Sequence, residues 1–412
     1  MIRGSRLLLR RQLARKYHVE SFDKSGISLG GFRTAEPVKF RNLFLRDACA
    51  STESVDVSTK QKTFSTAQLG DSIYAKNVTV NPSTQSLDVE WADGHKSSYS
   101  QDFLETYSNT VSRRRYRHLD LHDTNIWNSG TSKFTYDDAY STSYKAYLES
   151  PNDLVKSLQR DGIAFITDIP PGEKFNSSKI TVEHIAEQIG PIKNTFYGPS
   201  WNVISQSMAK NVAYTAVYLP LHMDLLYFES PPGVQLLHVI ENNTIGGESI
   251  FADSFAAALH ILETDPDAYS ALTEVPISYH YVNDNQHYYF ARPLIVEDVN
   301  SSVDEKTGRR AISHINYSPP FQGPIDAIAT THDVADNVVT NFYRGLRLFE
   351  EYIENPSNQI EVKMAENTCV LFMNRRTLHG RQQFQPGSGN RWFKGTYLDI
   401  DSFQSKLRTS KS

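Results

Sequence analysis

From about Ser21 to Tyr99 the chain alternates. Leu87, Val89 and Trp91 are separated by Asp88 and Glu90, while Asn81-Pro82-Ser83-Thr84-Gln85 and Asp93-Gly94 punctuate the runs. A period of two puts one set of side chains on one face of a strand, and turn residues end each strand, so a small β domain is expected over 21–111. The Arg-rich passage Ser112-Arg-Arg-Arg-Tyr-Arg117 and Asn128-Ser-Gly130 break this pattern and read as a linker over 112–140. Helical character follows over 138–160, then the buried-strand run Gly162-Ile-Ala-Phe-Ile-Thr167, and strands dominate to the end. A second domain, mainly β with flanking helices, is therefore expected over 141–412. Val338, Phe342, Leu346, Phe349 and Ile353 recur at helical spacing and predict a helix within 327–354. The polar stretch from Glu297 to Arg310 predicts a loop or hairpin tip.

A length of 412 residues is more than one core needs and agrees with two domains. The 22 Tyr and 21 Phe favour strands. A net charge of −5 offers no basic field for a phosphate backbone, so nucleic acid is not an expected partner. Cys49 and Cys369 are the only cysteines, too few for a disulfide framework, and a reducing compartment fits them. No apolar run approaches the roughly eighteen residues of a membrane span. Residues 1–20 stand apart: Arg3, Arg6, Arg10, Arg11, Arg15 and Lys16 lie among leucines, with no acid before Glu20. That composition predicts a mitochondrial presequence and a matrix location; a basic tail on a cytoplasmic protein is the alternative.

Candidate chemistry begins at Leu221-His222-Met223-Asp224, because residues two apart on an extended segment point to one side. A second imidazole is available from His379, where the apolar strand from Leu371 ends at His379-Gly380. Two histidines and one carboxylate make the facial triad of non-heme iron(II) oxygenases, with open positions for cosubstrate and dioxygen. Arg391, twelve residues beyond His379, offers a two-pronged donor for a carboxylate. His238 and His314 lie in apolar alternations and read as hydrogen-bonded core or rim histidines.

On these residues and on Phe44-Leu-Arg-Asp47, Phe196-Tyr-Gly198, Asn211-Val-Ala-Tyr-Thr215, Pro231-Pro-Gly-Val-Gln-Leu-Leu-His238, Gly246-Gly-Glu-Ser249 and Leu378-His-Gly-Arg381, the chain resembles the gamma-butyrobetaine and trimethyllysine dioxygenases within the taurine-dioxygenase-like group. The resemblance implies a double-stranded β-helix, or distorted jelly roll, behind a small N-terminal β domain. It implies iron(II) on His222, Asp224 and His379, with 2-oxoglutarate anchored by Arg391 and assisted by Ser249. It also implies ascorbate as reductant and, in many members, a homodimer. The substrates of that family carry a trimethylammonium group, which aromatic faces can hold. By resemblance Tyr197, Trp201, Tyr214 and Tyr397 take the cage positions, and Asn211 a polar position near the carboxylate of gamma-butyrobetaine. Trimethyllysine enzymes tend to have an acid there, so the expected reaction is hydroxylation of gamma-butyrobetaine to L-carnitine.

Three departures stand against a complete match. Leu225 replaces a Tyr common after the His-x-Asp, and Ser318 replaces an Asn after Tyr317. Family members often hold a structural zinc on three cysteines and a histidine; here only Cys49 and His95 match, with Ser51 and Ser54 in place of cysteines, so no zinc is expected. His95, after the Asp93-Gly94 turn, is expected to be exposed on a loop, and Cys49 to be buried. Rival readings are a trimethyllysine dioxygenase, another small-molecule oxygenase of the group, a zinc hydrolase, and a jelly-roll binding protein without catalysis.

Overall fold

The structure is a computed structural model that describes residues 16–32, 36–70, 73–117, 124–128, 141–172, 180–204 and 216–410. The chain divides into two units, Met1–Leu119 and Asp120–Ser412.

The first unit contains two three-stranded antiparallel sheets. One is built from His18–Phe22, Gly26–Gly30 and Val38–Arg41, the other from Ala75–Val80, Leu87–Trp91 and Lys96–Tyr99. Leu87, Val89 and Trp91 are buried while Asp88 and Glu90 are half-buried, and the three join Ile27, Leu29 and Phe40 in one core. Tyr17 belongs to that core and pairing starts at His18. The last residues of the 1–20 span read as a presequence are thus part of the folded unit. The Arg-rich passage also differs from its reading as linker, since Thr110–Arg117 is helical. Asn109 starts the turn by accepting from the Ser112 amide at 2.8 Å, and arginine is a good helix former. His95 is a correction: its side chain is only 9% exposed, because the Asp93-Gly94 turn folds it back onto buried Cys49.

Two sheets form the centre of the second unit. The larger runs in the order Ser141–Ser143, Ile163–Thr167, Thr368–Met373, Val234–Asn242, Arg391–Leu398, Ser200–Ile204; the first pair is parallel and the rest antiparallel. The smaller is antiparallel, in the order Leu219–His222, Thr377–Arg381, Ser249–Asp253, Gln359–Val362. Phe165, Val370, Phe372 and Phe393 of the larger sheet meet Phe251 and Ile360 of the smaller in one core. The other face of the larger sheet, with Val234, Leu236, Cys369 and Leu371, is covered by helices Pro151–Asp161, Thr181–Glu187 and Ile400–Thr409 through Leu158, Ile185 and Phe403. Burial of both faces explains the unbroken apolar runs in its central strands.

The helix read over 138–160 is two helices, Tyr144–Glu149 and Pro151–Asp161, because Pro151 lacks an amide hydrogen and keeps Ser150 out of the helical region. The helix read within 327–354 spans Asp336–Ile353 and buries Phe342, Phe349 and Ile353. It starts late because Thr330 Oγ1 donates to Asp333 at 2.7 Å, a local turn that competes with helix. Glu297–Arg310 forms the connection between strands Ile295–Glu297 and Ile312–Ile315, as the polar pattern predicts.

Candidate active site

His222 and His379 face each other as cross-strand partners on adjacent strands of the smaller sheet, with ring centroids 4.3 Å apart. Pairing in one register brings together two residues far apart in sequence. The third member is reached differently from the sequence reading. The strand Leu219–His222 stops at His222, and Asp224 lies in the following turn, where Leu225 is left-handed at φ 57°. The Asp224 carboxylate still returns to the histidines: Oδ1 is 3.3 Å from His222 Nε2 and 3.9 Å from His379 Nε2. Among the described residues this is the group of three metal-binding side chains whose ligand atoms all lie within 4.8 Å of one another.

The donor chemistry fits a divalent metal. His222 Nδ1 donates to the Pro220 carbonyl at 2.8 Å, which orients the ring with Nε2 turned towards Asp224. Burial pushes His379 down to about 3, so its imidazole is neutral at physiological pH, as a ligand must be. Burial opposes charge on Asp224 too, but hydrogen bonding within the site, the Tyr397 hydroxyl included, outweighs it and holds the carboxyl well below the usual range. The turn itself is clamped by Asn374. Its Oδ1 accepts from the Asp224 amide at 2.9 Å, and its Nδ2 donates to the carbonyls of Asp224 and Pro232 at 3.0 and 3.1 Å.

A cavity between the two sheets takes in the triad. Its walls include Tyr197, Trp201, Leu225, Tyr227, Gln235, Leu237, Ser249, Phe321, Arg381, Arg391, Phe393 and Tyr397. Arg391 and Tyr397 stand at opposite ends of one strand, on the face that points inward. Arg391 is buried, packs over Phe393 at 4.1 Å, and has no hydrogen bond at Nε. No carboxylate among the described residues lies within ion-pair reach of it. Burial, and secondly the charge of Arg381, lower its pKa to about 9, which leaves it protonated at neutral pH. Ser249 is buried on the opposite sheet.

At the other end Tyr397 stacks on Trp201 at 4.2 Å, and its hydroxyl donates to Asp224 Oδ2 at 2.6 Å. Burial, then the Asp224 charge, raise its pKa well above the ordinary value, so it stays a donor. Trp201 lies flat because Gly395 is its cross-strand partner: a Cβ there would come within 2.4 Å of the indole. Tyr197 is next, 6.1 Å from Trp201. The structure thus gathers His222, Asp224, His379, Ser249, Arg391, Tyr197, Trp201 and Tyr397 around one cavity. Asn211 and Tyr214 lie outside the described residues. His238 is buried in its strand and is no part of the metal-binding group, and His314 is lowered to about 3, first by burial.

Sequence reasoning missed Asn374, Gln235, Tyr227 and Phe321. Tyr227 and Phe321 meet edge to face at 5.3 Å, with Tyr281 and Tyr288 stacked behind Tyr227. Gln235 is 2% exposed, and its Oε1 has no hydrogen-bond partner. Its one available signal was a polar residue in the otherwise apolar run Val234-Gln-Leu-Leu237.

Residues 131–397 match the family described as "Taurine catabolism dioxygenase TauD, TfdA family", and residues 31–105 match "Gamma-butyrobetaine hydroxylase-like, N-terminal". The chain is 35% identical over 376 residues to "Dioxygenase str8" of Strobilurus tenacellus, covering 89% of this chain and 83% of that protein. It is 30% identical over 374 residues to a gamma-butyrobetaine dioxygenase of Pseudomonas sp. (strain AK-1), covering 89% of each. It is 27% identical over 381 residues to the mitochondrial trimethyllysine dioxygenase of Rattus norvegicus, covering 90% of this chain and 82% of that one.

Proposed function

We infer that this chain, which belongs to the taurine catabolism dioxygenase (TauD, TfdA) family, hydroxylates a small trimethylammonium substrate in an iron(II)- and 2-oxoglutarate-dependent reaction, with gamma-butyrobetaine as the substrate and L-carnitine as the product. The carrying observation is Arg391, a buried cation with no carboxylate partner among the described residues, in the cavity that also takes in the triad. Taking a lone cation out of water is costly unless an anion joins it. The distal carboxylate of 2-oxoglutarate is that anion, received by the planar guanidinium with Ser249 beside it.

His222, Asp224 and His379 would hold iron(II). Bound iron supplies the dioxygen activation that couples decarboxylation of 2-oxoglutarate to succinate with insertion of one oxygen into a substrate C–H bond. Everything else is positioning by the chain. The two sheets are read as a distorted jelly roll that keeps the cavity dry between them. Trp201, Tyr197 and Tyr397 present aromatic faces to the trimethylammonium group, with Tyr214 assigned to the same cage by resemblance. Asp224, on the metal side, is the one acid that lines the cavity among the described residues, and so no carboxylate there is free to meet the amino group of trimethyllysine. Together with Asn211, this favours gamma-butyrobetaine. The basic, acid-free segment before Glu20 favours import into the mitochondrial matrix.

The test is succinate release from purified protein supplied with iron(II), ascorbate and 2-oxoglutarate across a panel of trimethylammonium compounds. Release stimulated by gamma-butyrobetaine above trimethyllysine is expected. Stimulation by trimethyllysine alone would reassign the substrate, and none by any member would reject the trimethylammonium reading.

A further inference from the structure

Four side chains of the N-terminal unit close on one another. Cys49 Sγ is 3.4 Å from Ser51 Oγ and 3.3 Å from His95 Nε2; Ser54 Oγ is 3.4 Å from Ser51 Oγ and 3.5 Å from His95 Nε2. Cys49 and Ser54 are each 2% exposed. Around a tetrahedral zinc, with bonds of roughly 2.0–2.3 Å, ligand atoms stand about 3.3–3.8 Å apart. These four separations match that spacing.

The atoms are nonetheless the wrong ones for zinc. A neutral serine hydroxyl binds zinc poorly, so one thiol and one imidazole remain, half of what a closed structural site needs. The four groups serve one another instead, which is how buried polar groups avoid an unmet desolvation cost. The Ser51 amide donates to Cys49 Sγ at 3.5 Å, and His95 Nδ1 faces Glu53 at 3.1 Å. Burial opposes a charged Cys49 thiol, but hydrogen bonds from Ser51, Ser97 and His95 outweigh it and bring the thiol down to about 6. Hydrogen bonding thus stabilises the thiolate where a metal otherwise would.

We propose that Cys49, Ser51, Ser54 and His95 form a metal-free hydrogen-bonded knot that holds the N-terminal unit, so that the protein uses a single metal, and that thiols at 51 and 54 suffice to convert the knot into a zinc site. The knot has the spacing of a metal site without the donors of one. Chelation then empties the triad without unfolding the N-terminal unit, unlike a domain whose folding energy comes from zinc.

The experiment measures zinc per chain by elemental mass spectrometry in full-length protein carrying Asp224→Ala, which keeps zinc out of the triad. With the knot unaltered, zinc far below one per chain is expected after incubation with zinc and desalting. With Ser51→Cys and Ser54→Cys added, about one per chain is expected, together with a raised Tm that a chelator reverses. One zinc per chain in the unaltered knot, lost on Cys49→Ala, would overturn the proposal. So would a doubly substituted chain that folds with parental circular dichroism yet takes up no zinc, or one that fails to fold with zinc present. The single Ser51→Cys variant, titrated with cobalt(II), gives a second readout: thiolate-to-metal absorption absent from the parent is expected, and a spectrum identical to the parent's contradicts the conversion.

Discussion

The Tyr397 hydroxyl donates to Oδ2 of Asp224 at 2.6 Å while the same ring stacks on Trp201. One side chain therefore ties the aromatic wall of the cavity to a metal-side carboxylate. Partners that orient a metal-bound carboxylate are worth about 10–100-fold in affinity or activity. Tyr397→Phe keeps the stack and deletes only the hydrogen bond. The expected result is iron(II) binding weakened within that range, measured by titration of the apoprotein, with Tm nearly unchanged.

Asn374 supports the same carboxylate through the backbone, so its loss reads out differently. Asn374→Ala strips partners from the Asp224 amide and from the carbonyls of Asp224 and Pro232. Leaving such buried groups unpaired costs on the order of 3 kcal/mol in total. Thermal denaturation and metal titration are expected to fall together here, in contrast to Tyr397→Phe.

Arg391→Lys keeps the charge and loses the two-pronged geometry. A charge-assisted hydrogen bond is worth about 1.5–3 kcal/mol, so KM for 2-oxoglutarate should rise by about 10–100-fold. KM for the hydroxylated substrate should move far less, because Arg391 and the Tyr397–Trp201 stack lie at opposite ends of the cavity. Steady-state kinetics with each substrate varied in turn checks the split.

Gln235 carries a buried carbonyl oxygen without a partner, a state that costs roughly 1–3 kcal/mol. Gln235→Leu, similar in size, removes that cost and is expected to raise stability by about 1 kcal/mol, read by denaturant unfolding. Substrate KM is expected to rise at the same time, since a polar group kept unpaired beside Tyr397 is explained by a ligand that meets it.

Parts of the site were legible in the sequence for specific reasons. His379 is the one histidine in the run after the apolar strand and Arg391 follows it by twelve residues, so both stand out against their local pattern. The run from Leu371 is nonetheless two strands in different sheets, Thr368–Met373 and Thr377–Arg381, and His379 sits in the middle of the second. The alternation of Leu87, Val89 and Trp91 likewise betrays its strand directly. What was not legible depends on contacts between distant segments. Asn374 looks like one more turn residue until the Asp224 loop folds onto it. Tyr227 and Phe321 are ordinary aromatics in a chain with 22 Tyr and 21 Phe, and only their meeting makes a cavity wall. The turn that places Asp224 relies on left-handed Leu225, a residue type whose sequence signal argues against that conformation. His95 was misread for the same reason: a turn followed by a polar residue suggests exposure, and only Cys49 on the other side shows why it is covered.

The central claim, oxygenation at His222, Asp224 and His379 driven by 2-oxoglutarate, is tested most directly by mass spectrometry of both products formed under heavy-oxygen-labelled dioxygen with gamma-butyrobetaine as substrate. The account predicts one labelled oxygen in succinate and one in the hydroxylated product, in equal amounts, and neither product from His379→Ala. Unlabelled product, or label in succinate with no oxygen gained by gamma-butyrobetaine or by trimethyllysine, would contradict it.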